Sequence, residues 1–105
     1  MSAITTHVLD TAKGRPAEGV AVKLEYRQSS GWHAVGQGVT DADGRCRTLL
    51  SGALISGEYR ITFDTSSCST FYPSVSVHFA VADAEQHYHV PLLLSPYGYS
   101  TYRGS

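Results

Sequence analysis

Turn-forming residues recur along this chain at short, nearly even intervals, and this spacing constrains the fold more than any other feature. Glycine, proline, serine and aspartate cluster at residues 12–19, 28–31, 40–44, 56–57 and 95–98. The segments between these clusters are short and rich in β-branched and aromatic residues. Such segments are typical of the antiparallel strands of a sandwich or barrel. With 105 residues, the sequence predicts a single all-β domain over residues 1–105.

Six of these segments show the alternation of polar and apolar residues that is expected of strands. They are residues 4–10, 19–27, 58–64, 72–82, 87–94 and 97–103. A seventh segment, residues 32–40, is a weaker candidate because it contains two glycines. Residues 65–72 suit either one turn of helix or a loop. We therefore expect at most one short helix.

Composition and charge exclude several classes of partner. The net charge is −1 and the basic residues are scattered, which does not favour nucleic acid or an anionic membrane as a partner. No apolar run approaches the roughly 20 residues of a membrane span, and the first ten residues do not resemble a signal peptide. Cys46 and Cys68 lack a CxxC spacing, which favours free thiols in a reducing compartment over a disulfide. We expect a soluble cytoplasmic protein, or a periplasmic one if a signal has been removed.

Alternation divides the segments 4–10 and 87–94 into two faces each. The predicted core faces carry Ile4, Thr6 and Val8 on the first segment and Tyr88, Val90, Leu92 and Leu94 on the second. The opposite faces carry Thr5, His7 and Leu9, and His87, His89, Pro91 and Leu93. These opposite faces mix histidines with apolar residues, which is unusual for a face in water. The pattern predicts that this face packs against another subunit.

His87 and His89 form an H-x-H pair that puts two imidazoles on one strand face. Zinc sites use this spacing, but they need a third and a fourth ligand. No nearby Asp, Glu or Cys pattern supplies those ligands, so we expect no metal. Exposed histidines on a strand are the simpler interpretation of the pair, but that interpretation accounts less well for His7 on the first segment.

The DADG sequence at residues 41–44 predicts a hairpin turn in which Gly44 takes a positive φ. Arg45 follows the turn directly and is either a solvated residue or a stabiliser of negative charge. No G-x-S-x-G elbow, phosphate-binding loop or dinucleotide fingerprint is present. Any hydrolysis would therefore use activated water, with histidine as the base and arginine as the charge stabiliser.

Several longer stretches give the chain a family resemblance. They are ITTHVLDTAKGRPA at 4–17, TDADGR at 40–45 and HYHVPLLLSPYGYSTYRGS at 87–105. Together they resemble the transthyretin-related proteins known as 5-hydroxyisourate hydrolases, over essentially the whole chain. The terminal YRGS at 102–105 is the most specific signal, because it separates these hydrolases from the hormone-carrying transthyretins that share their fold.

The resemblance implies a transthyretin-like (prealbumin-like) β-sandwich of two four-stranded sheets. It further implies a homotetramer, a dimer of dimers, with active sites in the channel where two dimers meet. The implied reaction converts 5-hydroxyisourate to 2-oxo-4-hydroxy-4-carboxy-5-ureidoimidazoline in urate catabolism, without cofactor or metal. The segment 64–73 looks shorter than in many relatives, so that a helix there would be reduced to a turn.

Matching motif to motif, the resemblance implies that His7, Arg45 and His89 are catalytic. It also implies that His7, Arg45, Tyr102 and Ser105 bind substrate, and alternation along the last segment directs Tyr102 into the channel. Cations near the histidines are expected to lower the imidazole pKa. The alternative is a non-enzymatic carrier of small ligands, and the presence of the histidines, Arg45 and YRGS favours the hydrolase.

Overall fold

The computed structural model describes residues 2–104 and folds them into two facing β-sheets, with no helix in that range. The strands are β1 (Ile4–Asp10), β2 (Arg15–Pro16), β3 (Ala21–Gln28), β4 (Gly31–Val39), β5 (Arg45–Cys46), β6 (Gly57–Asp64), β7 (Ser74–Val81), β8 (Tyr88–Ser95) and β9 (Gly98–Thr101). All seven segments with strand character in the sequence therefore form strands. The two-residue strands β2 and β5 are additional.

The first sheet has the order β2-β1-β8-β9, with β5 also paired to β1, and the second has the order β4-β3-β6-β7. The predicted sandwich of two four-stranded sheets is confirmed, with β5 as a short addition to the first sheet. The prediction of a purely antiparallel fold was wrong at one pair, because β1 and β8 run parallel. Parallel neighbours need a long crossover connection. Here the whole second sheet lies between these two strands in the sequence.

The weakest predicted strand, β4, is fully formed, and its glycines explain both its weak signal and its place in the fold. A side chain at Gly36 would collide with the backbone of Leu49, and one at Gly38 would collide with the sulfur of Cys46. The segment after β5 therefore packs directly against β4. The glycines that lower the strand propensity of β4 are required for this close approach.

The hydrophobic core lies between the sheets, and the predicted core faces of β1 and β8 are confirmed. The buried residues of these faces are Ile4, Thr6, Val8, Tyr88, Val90, Leu92 and Leu94. The facing sheet contributes Leu24, Tyr59, Ile61 and Phe63, each almost completely buried. Full burial of one such apolar side chain stabilises the fold by roughly 1.5–3 kcal/mol. The buried hydroxyl of Thr6 donates a hydrogen bond to the carbonyl of Val90 at 2.5 Å, which joins β1 to β8.

The segment between β6 and β7 forms a turn at residues 66–68 and no helix, so the loop is the correct one of the two alternatives that the sequence left open. The side chain of Asp64 accepts hydrogen bonds from the backbone and the hydroxyl of Ser66 and so begins the turn. Cys46 is buried, Cys68 is partly exposed, and both are free thiols, as predicted. Within residues 2–104 no helix is long and apolar enough to cross a membrane.

Candidate active site

The turn at residues 41–44 delivers Arg45 to the first sheet. Gly44 has φ = 76°, as predicted, and the carboxylate of Asp41 accepts hydrogen bonds from the backbone amides of Asp43 and Arg45. The prediction of a hairpin was wrong, because the turn does not join two paired strands. It leads out of β4 in the second sheet and into β5, which pairs with β1 in the first sheet.

In this arrangement Arg45 lies directly opposite His7 on the neighbouring strand. Directly opposite residues of an antiparallel pair project from the same face of the sheet. The Nε2 atom of His7 is 2.8 Å from the carbonyl oxygen of Asp43. Since a carbonyl can only accept, Nε2 carries a hydrogen and donates it. The same turn therefore positions Arg45 and fixes one nitrogen of His7, which leaves Nδ1 free for another partner.

His89 lies beside His7 on the neighbouring strand β8. The centroids of the two imidazole rings are 6.5 Å apart and the ring planes are tilted by 35°. Nδ1 of His89 is 2.8 Å from the hydroxyl oxygen of Thr5, the residue paired with His89 across the parallel strands. The structure thus brings His7, Arg45 and His89 together on one face of the first sheet.

Burial lowers the pKa of His89 below its ordinary value. The positive charge of Arg45 lowers it further, and charge on His7 and His87 acts in the same direction, while a hydrogen bond to the Thr5 backbone opposes them. The direction of this pKa shift was predicted from nearby cations alone. The direction is confirmed, but burial is the larger cause. His89 is therefore an imidazole that stays neutral, and able to accept a proton, at neutral pH.

The C-terminal residues come back to His89. The backbone amide of Gly104 donates a hydrogen bond to the carbonyl of His89 at 2.8 Å, and the two residues form an isolated β-bridge. Extending the register of the Leu92–Thr101 pair to this bridge places Tyr102 opposite Pro91.

Tyr102 is 56% exposed and lines a cavity together with Phe79 and Tyr88, so its direction into the channel stays a prediction. Among residues 2–104 the structure shows no hydrogen bond between Tyr102 and the His7–Arg45–His89 group. Ser105, the second predicted substrate contact of the C-terminal tetrapeptide, lies outside the described residues.

Two other cations near the site have separate partners. Arg47 forms an ion pair with Asp41 at 3.1 Å. The guanidinium of Arg103 lies over the ring of Tyr88, 4.3 Å from its centroid, on the core side of β8. It also donates a hydrogen bond to the side-chain oxygen of Gln86. Arg103 therefore projects away from the face that carries His89.

Sequence reasoning missed one polar residue of this site, Thr5. Its hydroxyl contacts Nδ1 of His89 and, at 3.1 Å, Nε2 of His87. Thr5 is only 4% exposed although alternation placed it on the outer face. Its position two residues before His7, on a strand that runs parallel to the H-x-H segment, is the signal that could have revealed it. Within residues 2–104 no group of three or more His, Cys, Asp or Glu side chains is placed to hold a metal ion.

The fold and this group of side chains define a class of protein, a transthyretin-like sandwich with two histidines and an arginine on one sheet face. The model of the HIUase/Transthyretin family matches residues 4–104. The chain belongs to that family.

Several relatives are similar over nearly the whole of this chain. The chain is 45% identical to the 5-hydroxyisourate hydrolase of Salmonella dublin, covering 97% of this chain and 80% of that one. It is 44% identical to the 5-hydroxyisourate hydrolase of Caulobacter vibrioides, over the full length of both. It is 43% identical to the mouse enzyme of the same name, covering 99% of this chain and 96% of that one.

Two solved structures carry the two names that appear in the description of the family. Klebsiella pneumoniae 5-hydroxyisourate hydrolase superposes with a TM-score of 0.82 at 34% identity, covering 97% of this chain and 98% of that one. Sea bream transthyretin in complex with thyroxine superposes with a TM-score of 0.86 at 32% identity, covering 98% and 95%. The backbone superposes closely on both, so the choice between hydrolase and carrier depends on the side chains.

Proposed function

We propose that this protein is a hydrolase that converts 5-hydroxyisourate to 2-oxo-4-hydroxy-4-carboxy-5-ureidoimidazoline in urate catabolism. The observation that carries the proposal is the convergence of His7, Arg45 and His89 on one face of the first sheet. Relatives with 43–45% identity carry the name of this enzyme. The reaction opens a cyclic amide: the hydroxyl of water bonds to the carbonyl carbon, the C–N bond breaks, and the ring nitrogen receives a proton.

Arg45 stabilises the negative charge that develops on the carbonyl oxygen when water attacks. Its guanidinium is charged at every working pH, and its planar fork can donate two hydrogen bonds to a flat, oxygen-rich ring. A fixed cation aimed at the developing charge stabilises the transition state more than the substrate, because the charge is absent in the ground state. The turn at residues 41–44 supplies the rigid support that this role requires.

The two histidines move the protons. One neutral imidazole accepts a proton from the attacking water, and the other donates a proton to the departing ring nitrogen. Their ring centroids are 6.5 Å apart, so both rings can reach a single substrate that lies over this face of the sheet. The neutral state of His89 suits the first task. For His7, whose Nε2 is bound to the Asp43 carbonyl, Nδ1 is the nitrogen that remains for substrate.

Tyr102 and Ser105 orient the substrate through the phenol and the hydroxyl. The bridge between Gly104 and His89 supports this role for the C-terminal segment, because it brings the chain at Gly104 beside the site. The working form is a homotetramer, a dimer of dimers, whose channel covers this face. The partial exposure of Leu9 and Leu93 beside the histidines supports a covering subunit.

A coupled ultraviolet assay tests the proposed function. Urate oxidase generates 5-hydroxyisourate in the cuvette, and its decay is followed with and without the protein. We expect faster decay with the wild-type protein and a loss of orders of magnitude in His7→Asn and His89→Asn. His78→Asn is the matched control, because His78 pairs with Glu58 on the second sheet. Decay at the spontaneous rate with a verified tetramer would refute the hydrolase.

The second candidate function is a carrier of small aromatic ligands in the same channel. The likeness to a thyroxine-bound transthyretin favours it at the level of the backbone. If the protein is a carrier, it should bind a small aromatic ligand reversibly without turnover. Exchanging a histidine of the site for asparagine should then not reduce the affinity for that ligand. The charged and titratable side chains of the site favour the hydrolase over this alternative.

We place the protein in the cytoplasm. The support is its two free cysteines, which suit a reducing compartment. Fractionation of the source cells with a periplasmic marker tests this location, and recovery of the protein with the periplasmic fraction would refute it.

A further inference from the structure

The hydroxyl of Thr5 lies between two imidazoles and joins them. Its oxygen is 2.8 Å from Nδ1 of His89 and 3.1 Å from Nε2 of His87. Thr5 is 4% exposed, so that water does not readily replace either partner. His87, in contrast, is exposed. A buried hydroxyl thus connects a histidine of the site to a histidine at the surface.

The hydroxyl has one hydrogen and two lone pairs, so it can donate to only one of the two imidazoles, although it can accept from both. If it donates to His87, or accepts from both rings, it accepts from Nδ1–H of His89, and Nε2 of His89 carries the lone pair. If it donates to Nδ1 of His89, then Nε2 of His89 carries the hydrogen and cannot accept a proton. The direction of this one hydrogen bond therefore decides whether a neutral His89 offers the site a base or a donor.

The electrostatics of the site favour the first polarity. Arg45 is a permanent cation whose field acts on His89. A lone pair directed into a site that holds a fixed positive charge is lower in energy than an N–H dipole directed into it. In this polarity the exposed His87 accepts the hydrogen of Thr5 at Nε2 and satisfies its own Nδ1 with water. Each polar atom in this row of hydrogen bonds then has a donor or an acceptor as its partner, as it requires.

We propose that Thr5 and His87 are positioning residues that hold His89 in the tautomer protonated at Nδ1, so that its Nε2 accepts the proton of the attacking water. The catalytic consequence of the proposal rests on the proposed hydrolase function. The tautomer itself does not, since it is a property of the free protein. The proposal assigns His89 as the general base and leaves His7 to protonate the departing nitrogen from Nδ1, a step that requires His7 to carry a hydrogen on both ring nitrogens, because the hydrogen on Nε2 is held by the carbonyl of Asp43.

The titration of His89 depends on every charged or titratable group that faces it. These groups are Arg45 on β5, His7 on β1 and His87 immediately before β8. Thr5 is neutral, so its replacement changes hydrogen bonding without removing a charge. An effect of Thr5→Val on the tautomer of His89 is therefore separable from a change in the local field.

The test compares Thr5→Val, which keeps the shape and removes the hydroxyl, with Thr5→Ser, which keeps the hydroxyl. The first readout is the tautomer of His89, obtained from long-range proton–nitrogen spectra of the histidine-labelled tetramer above pH 7. We expect Nδ1 protonation in the wild-type protein and in Thr5→Ser, and a shift towards Nε2 protonation in Thr5→Val and His87→Ala. Native mass spectrometry and thermal unfolding verify that each variant is folded.

The second readout is turnover of 5-hydroxyisourate. We expect kcat of Thr5→Val to fall at least about tenfold with little change in KM, since a histidine in the wrong tautomer loses its catalytic proton position, and Thr5→Ser to restore it. A wild-type His89 protonated at Nε2, or an unchanged tautomer in Thr5→Val, overturns the inference. A wild-type protein without turnover refutes the proposed function alone, because the spectra still decide the tautomer.

Discussion

Gly104 lies so close to the imidazole of His89 that a Cβ atom at this position would come within 2.7 Å of Cδ2. Thr5 holds the same ring at Nδ1. Nδ1 and Cδ2 flank Cγ on opposite sides, so the ring is held between a buried hydroxyl and the C-terminal backbone. The strand-like segment at residues 97–103 is therefore followed by backbone that supports His89 at Gly104.

Replacing Gly104 by alanine should displace His89. The new methyl group would overlap Cδ2 of His89, so the imidazole ring would have to move. We expect turnover to fall at least about tenfold, because small misplacements of a catalytic group cost up to about a hundredfold in rate. Gly98→Ala is the matched control, since its nearest contact is 3.4 Å away at the flexible hydroxyl of Ser95. Equal activity of the two alanine variants would contradict this role of Gly104.

Replacing Arg45 by glutamine should lower kcat by about 10²–10³, the usual effect of removing one group that stabilises an oxyanion. Arg47→Gln provides the comparison, because Arg47 lies two residues away and is paired with Asp41 at 3.1 Å. That exposed ion pair contributes little to stability, so Arg47→Gln should be folded and close to wild type in rate. The steady-state kinetics of the two variants decide whether charge at Arg45 specifically is required. Similar losses in both would argue against it.

The pH dependence of His89 has a defined sign. Its pKa is lowered from 6.5 by burial and then by Arg45, so the neutral base persists below pH 6.5 and kcat/KM should fall only as the pH drops through the lowered pKa. The unfolded chain binds this proton more readily, so the contribution of His89 to stability is present above pH 6.5 and is lost as the pH falls. Titration of the His89 ring by NMR measures the pKa directly.

Arg45→Met removes the nearby cation and should raise the pKa of His89 towards 6.5, whereas Arg47→Met should leave it unchanged. The same NMR titration, repeated on both variants, makes the comparison. A wild-type value at or above 6.5, or an Arg45→Met value identical to wild type, would show that the field of Arg45 does not act on this ring.

Much of the fold was predictable because it depends on local pattern. Alternation identifies β1 and β8 and their buried faces, since buried side chains occur at every second position of a strand. The strands β2 and β5 have two residues each, which is too short for any periodicity. They form because both pair with β1 in the folded protein. The parallel pairing of β1 with β8 is likewise a property of the assembled sheet.

The site was predictable to the extent that motif and pattern identify residue types. His7, Arg45 and His89 were expected, and the structure brings them together. Thr5 was missed, because alternation alone assigns it to the outer face and says nothing of what covers that face. Its burial follows from contacts with His87 and His89 that come from a strand more than eighty residues away. Contacts of this kind are decided by register between strands, which the sequence does not display.

The last prediction concerns the turn that carries Arg45. Gly44 has φ = 76°, and a Cβ there would collide with the carbonyl of Val8 and come within 2.9 Å of Cβ of Pro16. Gly14 has a similar φ of 68° but open space around it. Gly14→Ala should therefore cost only the strain of a left-handed backbone, about 1–2 kcal/mol.

Gly44→Ala should cost more than about 3 kcal/mol in the free energy of unfolding, because the collision with β1 adds to the same strain. It should also lower turnover, since the pairing of Arg45 with His7 depends on this turn lying against β1. Urea unfolding of the two variants, beside their kinetics, measures both effects. The difference between the two alanine variants isolates the contact with β1 from the backbone strain that they share. A difference near zero would mean that the turn can move away from β1, and the rigid placement of Arg45 would then have to come from another contact.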